Sequence, residues 1–135
     1  QTHTSLAVWF KPYAYADNAV GGIAHNDARG PILYQAGKNL GAGVKTDVGT
    51  PGDYFDMFNS GWHHAVVTYD GSFVKVYIDY TLRGIMPYTG AIAPKMVDYL
   101  VGWTNIYGNW KGYVDDLRFY GRTLTDSEVN ALYNL

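Results

Sequence analysis

The sequence contains no cysteine, so neither a disulfide framework nor a thiolate metal site stabilises the fold. It has no run of about 18 consecutive apolar residues, which argues against a membrane-spanning helix. Charged residues make up only 16% of the chain and the net charge is −2, so the sequence lacks the basic stripe typical of nucleic-acid binding. Glutamate is nearly missing as well, because Glu128 is the only one. We therefore expect neither a nucleic-acid partner nor membrane insertion.

Aromatic residues are abundant where charged residues are scarce. The chain has 13 Tyr, 4 Trp and 5 Phe, which favour strands and also surfaces that contact sugars or proteins. Its 135 residues are 47% hydrophobic, enough to bury the core of one domain, so a single domain over residues 1–135 is predicted. The opening QTH lacks Met and a signal peptide, which indicates a mature secreted form or a cloning boundary.

Apolar and polar residues alternate most clearly in the middle of the chain. The segment WHHAVVTY at 62–69 ends in an Asp-Gly turn signal, and SFVKVYID at 72–79 follows. In the second segment every other residue is apolar, so one face of the strand is apolar. The pattern predicts an antiparallel hairpin with one buried face.

The rest of the chain consists of short strand candidates separated by turns, with one helical segment at the end. The strand candidates cover residues 6–10, 20–25, 32–36, 41–45, 54–58, 99–103 and 112–120. This spacing is typical of an all-β sandwich or barrel. TDSE at 125–128 has the pattern of a capping box, and the apolar residues after it recur at helical spacing. One short C-terminal helix is predicted.

Three segments, in this order, resemble one known family. They are SLAVWFKP at 5–12, GWHHAVVTYDG at 61–71 followed by VKVYID at 74–79, and GYVDDLRFY at 112–120 followed by the helical segment. The ordered set is similar to the laminin-G-like domains of the concanavalin A-like lectin/glucanase (jelly-roll) superfamily. The resemblance implies an all-β fold, a two-sheet antiparallel jelly-roll sandwich with one short C-terminal helix. It does not imply one function.

The chain departs from the family pattern at two places. Tyr80 follows the hairpin residue Asp79, where the family usually has glycine. The family also commonly has a further strand before the first one matched, and only five residues precede Leu6. A missing strand would leave a sheet edge open, and open edges recruit strands from other chains. Self-assembly into a homo-oligomer is therefore one hypothesis, and coverage of the edge by another segment or by a different strand order is the alternative.

Residues for catalysis are hard to find. Glycosidases of this architecture need two carboxylates, and the adjacent pair Asp115 and Asp116 would point to opposite faces of a strand. For the same reason His63 and His64 cannot easily share a metal ion, and His64 is interpreted as a packed, hydrogen-bonded structural residue. We predict that the protein is not an enzyme, and a glycoside hydrolase or lyase ranks last among the possible functions.

Calcium is the one cofactor that the sequence suggests. On strict alternation Asp115 shares a face with Leu117 and Phe119, so it is predicted to be partly buried, and a buried carboxylate needs a partner. The resemblance implies Ca²⁺ binding near this residue. Calcium needs six to eight oxygens, so Asp115 alone is insufficient, and hydrogen bonding at a sheet end is the equal alternative.

Sugar binding needs flat aromatic faces and a few polar side chains. Trp9, Trp62 and Trp110 occupy motif positions typical of core residues. Loops are better candidates, because recognition usually lies on loops of a rigid sandwich. The predicted ligand-binding residues lie in two loops. They are Trp103, Asn105, Tyr107 and Asn109 in the first loop and Tyr13 and Tyr15 in the second. The segment 53–56 is a third candidate for recognition.

These observations support two main functions. The first is a non-catalytic, lectin-like carbohydrate-binding or adhesion module, secreted or on a cell surface, with a glycan or an extracellular protein as partner. The second is a structural, self-assembling extracellular subunit that uses an open sheet edge and its aromatic surface for protein contacts. The aromatic loops favour the first, and the low charge and apparently missing strand favour the second.

Overall fold

The computed structural model describes residues 2–25, 30–57, 59–92, 100–102 and 110–135. Within these ranges the chain forms strands and one short helix, as the sequence predicts. The strands are β1 Thr4–Pro12, β2 Val20–His25, β3 Gly30–Ala36, β4 Asn39–Lys45, β5 Gly52–Asp56, β6 His63–Tyr69, β7 Phe73–Ile78, β8 Thr81–Pro87, β9 Leu100–Val101 and β10 Gly112–Tyr120. The helix, α1, spans Asp126–Tyr133.

The strands form two antiparallel sheets. Sheet A has the order β10-β1-β6-β7-β8, and sheet B has the order β5-β4-β3-β2-β9. Neighbouring strands alternate in direction throughout both sheets, and their inner faces meet in a shared core. The predicted two-sheet jelly-roll sandwich with one short C-terminal helix is confirmed.

The core has two parts. The main part lies between the sheets, where Phe10 from sheet A and Leu33 from sheet B are fully buried. A smaller cluster lies on the outer face of sheet A, where Tyr77 packs with Val129 and Leu132 of α1. Burying a large apolar side chain stabilises a fold by about 1.5–3 kcal/mol. The helix therefore covers part of the outer face of sheet A.

The capping box at the start of α1 is confirmed. The Thr125 hydroxyl accepts a hydrogen bond from the Glu128 N–H, and the Glu128 carboxylate accepts one from the Thr125 N–H. The Arg122 guanidinium donates two more hydrogen bonds to that carboxylate, and together these contacts lower the pKa of Glu128 to about 2. Among the described residues, no helix has the length and apolar character needed to cross a membrane.

Two successive hairpins join β6, β7 and β8. The first is the predicted one, and the Asp70 carboxylate closes its turn by accepting two backbone N–H groups. The second hairpin was not predicted, because β8 was missed. Its loop residues Asp79 and Tyr80 have φ angles of 51° and 56°, the left-handed region that a type I′ turn requires. The Tyr80 ring contacts Tyr133 of α1, with centroids 4.9 Å apart, which helps to hold this turn.

The N-terminal strand β1 lies inside sheet A, with β6 on one side and β10 on the other. A different strand order therefore covers both edges of β1, which is the alternative that the sequence left open. In the described part of the chain, the outer strands of sheet A are β10 and β8. Any strand addition to sheet A would take place at those two strands and not at β1.

Candidate functional site

Three exposed aromatic residues gather at one end of the sandwich. Tyr13 follows β1 directly, Tyr113 is the second residue of β10, and Trp62 precedes β6. The centroid of the Tyr113 ring lies 5.9 Å from that of Tyr13 and 6.4 Å from that of Trp62. The exposed fractions of Tyr13, Tyr113 and Trp62 are 71%, 54% and 46%. We call these three residues the end surface.

A buried glutamine fixes the two segments that carry most of the end surface. Gln35 on β3 donates a 2.8 Å hydrogen bond from its side-chain amide to the Ala14 carbonyl, next to Tyr13. Its Oε1 accepts a 2.9 Å hydrogen bond from the indole N–H of Trp110, just before β10. Because Gln35 is buried and uses both ends of its amide, it ties the loop of Tyr13 and the segment of Trp110 to sheet B.

A recess of about 240 Å³ lies beside the end surface. It is lined by Tyr13 and Tyr113, together with Lys11, Pro12 and Ser60. Within the described ranges, the Lys11 ammonium group forms no ion pair with a carboxylate. Aromatic faces beside an amine and a hydroxyl are suited to a sugar, whose C–H face stacks on a ring while its hydroxyls bond to polar groups.

Tyr15, the second tyrosine predicted in this loop, is used differently. Its ring packs partly against the main core, and its hydroxyl donates to Asp56 Oδ1 at 3.2 Å. Lys38 Nζ lies 5.7 Å from the centroid of the Tyr15 ring and 3.7 Å from Asp17 Oδ1. Tyr15 therefore closes the core at this end, whereas Tyr13 is available at the surface.

Four other predicted ligand-binding residues, Trp103, Asn105, Tyr107 and Asn109, lie outside the described residues. Their role in binding stays a prediction. The described chain resumes at Trp110, two residues before β10 begins.

The burial predicted for Asp115 is wrong. Strand β10 contains a bulge, in which Asp116 has a φ of 50°. The extra residue reverses the alternation of the strand, so Val114 and Leu117 both pack against the main core. Asp115 therefore faces outward and is exposed, and its Oδ1 accepts a 2.8 Å hydrogen bond from the N–H of Asp116.

The described residues do not by themselves complete a calcium site at Asp115. In the described ranges no group of three or more His, Cys, Asp or Glu side chains could hold a metal ion. Carbonyl oxygens or water would have to supply most of the six to eight ligands. The neighbouring Asp116 is paired with Arg118, whose Nε lies 2.7 Å from Asp116 Oδ1.

His63 and His64 face opposite sides of sheet A, as the alternation predicts. His63 faces the core side, with Nδ1 at 2.9 Å from Asp79 Oδ2 and Nε2 at 3.0 Å from the Asn59 carbonyl oxygen. Both partners are acceptors, so these two contacts favour the doubly protonated imidazolium form of the ring. Burial opposes this charge, but the hydrogen bonds and the charge of Asp79 outweigh burial and raise the pKa of His63.

His64 has the opposite environment. Its ring is 2% exposed and contacts Trp9 and Tyr133 at centroid distances of 5.0 Å and 6.0 Å. Burial lowers the pKa of His64 to about 4, so the ring is neutral near pH 7. The predicted packing is confirmed. The predicted hydrogen bonding is wrong for Nδ1, which has no hydrogen-bond partner among the described residues.

Sequence reasoning missed two of the three residues of the end surface. Trp62 was placed in the core with Trp9 and Trp110, but of these three only Trp110 is buried, and Trp9 is half-buried. The sequence signal that could have placed Trp62 at the surface was its position after a glycine and before the first residue of β6. Tyr113 could have been found from its neighbour Val114, because adjacent strand residues face opposite ways.

Several solved structures share this fold. The binding domain of Paraclostridial Mosquitocidal Protein 1 has a TM-score of 0.80 and 17% identity, over 98% of this chain and 37% of that one. The receptor-binding domain of the botulinum neurotoxin C/D mosaic serotype has a TM-score of 0.79 and 15% identity, over 98% and 36%. The binding domain of botulinum neurotoxin DC, solved in complex with rat synaptotagmin II, has a TM-score of 0.68 and 11% identity, over 98% and 35%.

At these identities the likeness shows the fold alone, and this chain spans little more than a third of those proteins. A comparison with curated proteins found no match. A family model described as the concanavalin A-like lectin/glucanases superfamily matches residues 1–130, which is nearly the whole sequence. The chain therefore belongs to the concanavalin A-like lectin/glucanases superfamily, as its three motifs predicted.

Proposed function

We propose that the protein is a non-catalytic, lectin-like module that binds carbohydrate through the end surface, in a secreted or cell-surface setting. The observation that carries the proposal is the meeting of three exposed aromatic rings beside a recess that holds Lys11 and Ser60. Clustered exposed aromatic side chains mark binding surfaces, since single exposed apolar residues are ordinary and clusters are not. A binding module also agrees with the toxin binding domains that share the fold.

The geometry supports sugar binding on physical grounds. The rings of Trp62 and Tyr113 offer flat faces for the C–H groups of a sugar, and Lys11 and Ser60 offer donors for its hydroxyl oxygens. Gln35 fixes the segments that carry Tyr13 and Tyr113 before any ligand arrives. Such preorganisation lowers the entropy lost on binding and so raises affinity.

The carboxylates support a function without catalysis. Glycoside hydrolysis needs an acid and a base or nucleophile that face one substrate. Glu128, the only glutamate, is committed to the capping box and to Arg122. Asp116 is paired with Arg118, and Asp115 lies on the exposed outer side of β10.

A glycan array, screened with and without calcium, is the first test of the proposed function. The best glycan is then titrated calorimetrically against the wild type, Trp62→Ala and Tyr113→Ala. We expect each substitution to weaken binding roughly tenfold or more, because truncating a central aromatic contact removes most of its binding energy. Phe73→Ala is the matched control, since Phe73 is a comparably exposed aromatic residue, 41% against 46% for Trp62, outside the end surface.

The second candidate function is a self-assembling or protein-binding subunit. It is favoured by the outer strand β8, where Leu82 and Ile85 are 41% and 50% exposed. Phe73 on β7 lies on the same outer face of sheet A, so the three form an apolar stripe beside an open strand edge. Two results together would favour this function over the lectin function. They are no binding on the glycan array, and a particle size that increases by light scattering over a hundredfold increase in protein concentration.

Calcium binding at Asp115 stays a separate proposal. If calcium binds only the folded protein, it stabilises it by about 2.7 kcal/mol at one hundred times Kd. We expect that calcium raises the Tm by several degrees, that EDTA reverses the change, and that Asp115→Asn removes it. Identical melting curves in EDTA and in excess calcium would end this proposal and leave the glycan proposal intact.

A further inference from the structure

Sheet B carries a separate pair of aromatic rings on the face turned away from the core. Tyr34 on β3 and Tyr54 on β5 stand on either side of Gly41 on β4, the residue that pairs with both. Their ring centroids are 5.8 Å apart and their planes meet at 88°, an edge-to-face arrangement. The strand neighbours Leu33 and Phe55 are buried in the main core, which leaves the two tyrosines on the outer face. Tyr54 belongs to the third segment, 53–56, in which the sequence suggested recognition.

The missing side chain at Gly41 makes this arrangement possible. A methyl group there would lie 2.3 Å from Cζ of Tyr34, so any other residue would displace the ring. At Gly43, two residues along the same face, a methyl group would lie 2.3 Å from the Pro51 carbonyl oxygen. Both glycines are buried, and their missing side chains let the Tyr34 ring and the Pro51 carbonyl pack directly against strand β4.

A recess of about 230 Å³ lies beside Ala42 and Gly43 of β4. Its lining includes Ile32, Tyr34 and Tyr54, with Thr50 and Asp53 as the polar side chains. The volume is below the roughly 300–1,000 Å³ of pockets for drug-sized ligands, so the recess suits a single ring. No cationic side chain lines it among the described residues.

We infer that the recess over Gly43, walled by Tyr34 and Tyr54, binds one neutral sugar ring independently of the end surface. The tyrosine rings contact the apolar face of the sugar. The Asp53 carboxylate and the Thr50 hydroxyl accept hydrogen bonds from sugar hydroxyls. Asp53 also repels an acidic sugar, which makes the ligand class neutral.

The test follows the backbone amide signals of Gly41 and Gly43 by ¹H–¹⁵N NMR. Methyl glycosides of glucose, galactose and mannose are titrated in turn, and methyl glucuronide is the acidic probe. We expect saturable shifts of both amides with at least one neutral glycoside and much weaker shifts with the glucuronide. Tyr54→Ala should weaken the neutral interaction roughly tenfold or more. Tyr113→Ala should not change it, and this control is closely matched because the two tyrosines are 57% and 54% exposed.

Asp53→Asn is a second variant that nearly keeps the size of the side chain. It should weaken binding of the neutral glycoside and admit the glucuronide, while a thermal melt checks that both variants fold. Three results would overturn the inference: no shift at either glycine with any neutral glycoside, undiminished shifts in Tyr54→Ala, or the same loss in Tyr113→Ala. Equal binding of the glucuronide by the wild type would overturn the neutral ligand class. Because the end surface is assayed with Trp62→Ala, either site can fail while the other stands.

Discussion

Two tryptophans at the same end of the sandwich show how differently one residue type is used. Trp110 is 6% exposed and donates its indole N–H to Gln35, whereas Trp62 is 46% exposed and lies beside Tyr113. The first holds a chain segment in place, and the second offers its ring to solvent. Stability and binding at this end are therefore carried by different residues, and mutations should separate them.

The largest expected effect is that of Trp110→Ala. Removing a buried tryptophan leaves a cavity and costs about 3–5 kcal/mol in the free energy of unfolding. Urea unfolding followed by circular dichroism measures the cost, with Trp62→Ala as the control. Equal losses for the two variants would contradict the distinction between an interior and a surface tryptophan.

The next largest effect on stability is expected for Gln35→Leu, because Gln35 contacts both the loop of Tyr13 and the segment of Trp110. The substitution leaves the Ala14 carbonyl and the Trp110 indole N–H without their partner. A buried polar group without a partner costs about 1–3 kcal/mol. The Trp110 indole N–H is buried but the Ala14 carbonyl is only partly buried, so we expect about 2–4 kcal/mol in total. Glycan binding should also weaken, because Tyr13 and Tyr113 lose their common support. A stable variant with unchanged affinity would show that Gln35 positions neither segment.

The two adjacent histidines are both buried, but they differ in charge. Because the pKa of His64 is lowered to about 4, its stabilising contribution is complete above pH 6.5 and is lost as the pH falls towards 4. At pH 5 the loss amounts to about 2 kcal/mol. His64→Phe should therefore raise the stability at pH 5 by more than at pH 8, as measured by Tm.

The contributions of His63 and Asp79 to stability should change with pH in opposite directions from each other. The pKa of His63 is raised, so its contribution is complete below pH 6.5 and is lost as the pH rises through the folded-state pKa. The pKa of Asp79 is lowered despite burial, because His63 and the His64 N–H bind its charged form, so its contribution is lost in acid. Titration of the His63 ring by NMR below pH 6.5 would contradict this.

The smallest expected effect on stability belongs to Trp62→Ala and Tyr113→Ala. Both side chains are about half exposed, so we expect each free energy of unfolding to change by less than about 1 kcal/mol. Both variants should nevertheless lose glycan affinity. A large loss of stability would mean that the end surface is structural packing and not a binding surface.

The fold was predictable because its strands alternate regularly and end at turn residues. The limits of β2 and β10 match the predicted 20–25 and 112–120. Strand β8 was missed because Arg83 is an extra residue opposite β7, which breaks the alternation, and because glycine and proline interrupt the segment. Its two-residue turn at Asp79 and Tyr80 also lacks the usual glycine.

The site was less predictable because, as in β8, an extra residue in a strand breaks the alternation of its faces. The bulge at Asp116 shifts the phase of β10 by one residue, and nothing in the local sequence marks it, so Asp115 was assigned to the wrong face. Tyr13 was found because it lies in a loop. The contact between Tyr34 and Tyr54 was not predictable, because the two residues lie on strands separated by β4. Nothing in the sequence around Gly41 indicates that this glycine makes room for the contact.

The place of β1 inside sheet A has a consequence for how the chain folds. Its neighbours β6 and β10 are synthesised long after it, and Ser5 bonds to the backbone of Arg122 and Leu124 more than one hundred residues away. Forming such distant contacts requires closing long loops, which makes folding slow. On the ribosome β1 therefore waits without its first partner until β6 has been made, and without its second partner until β10 has been made. During this wait the apolar segment is exposed to aggregation.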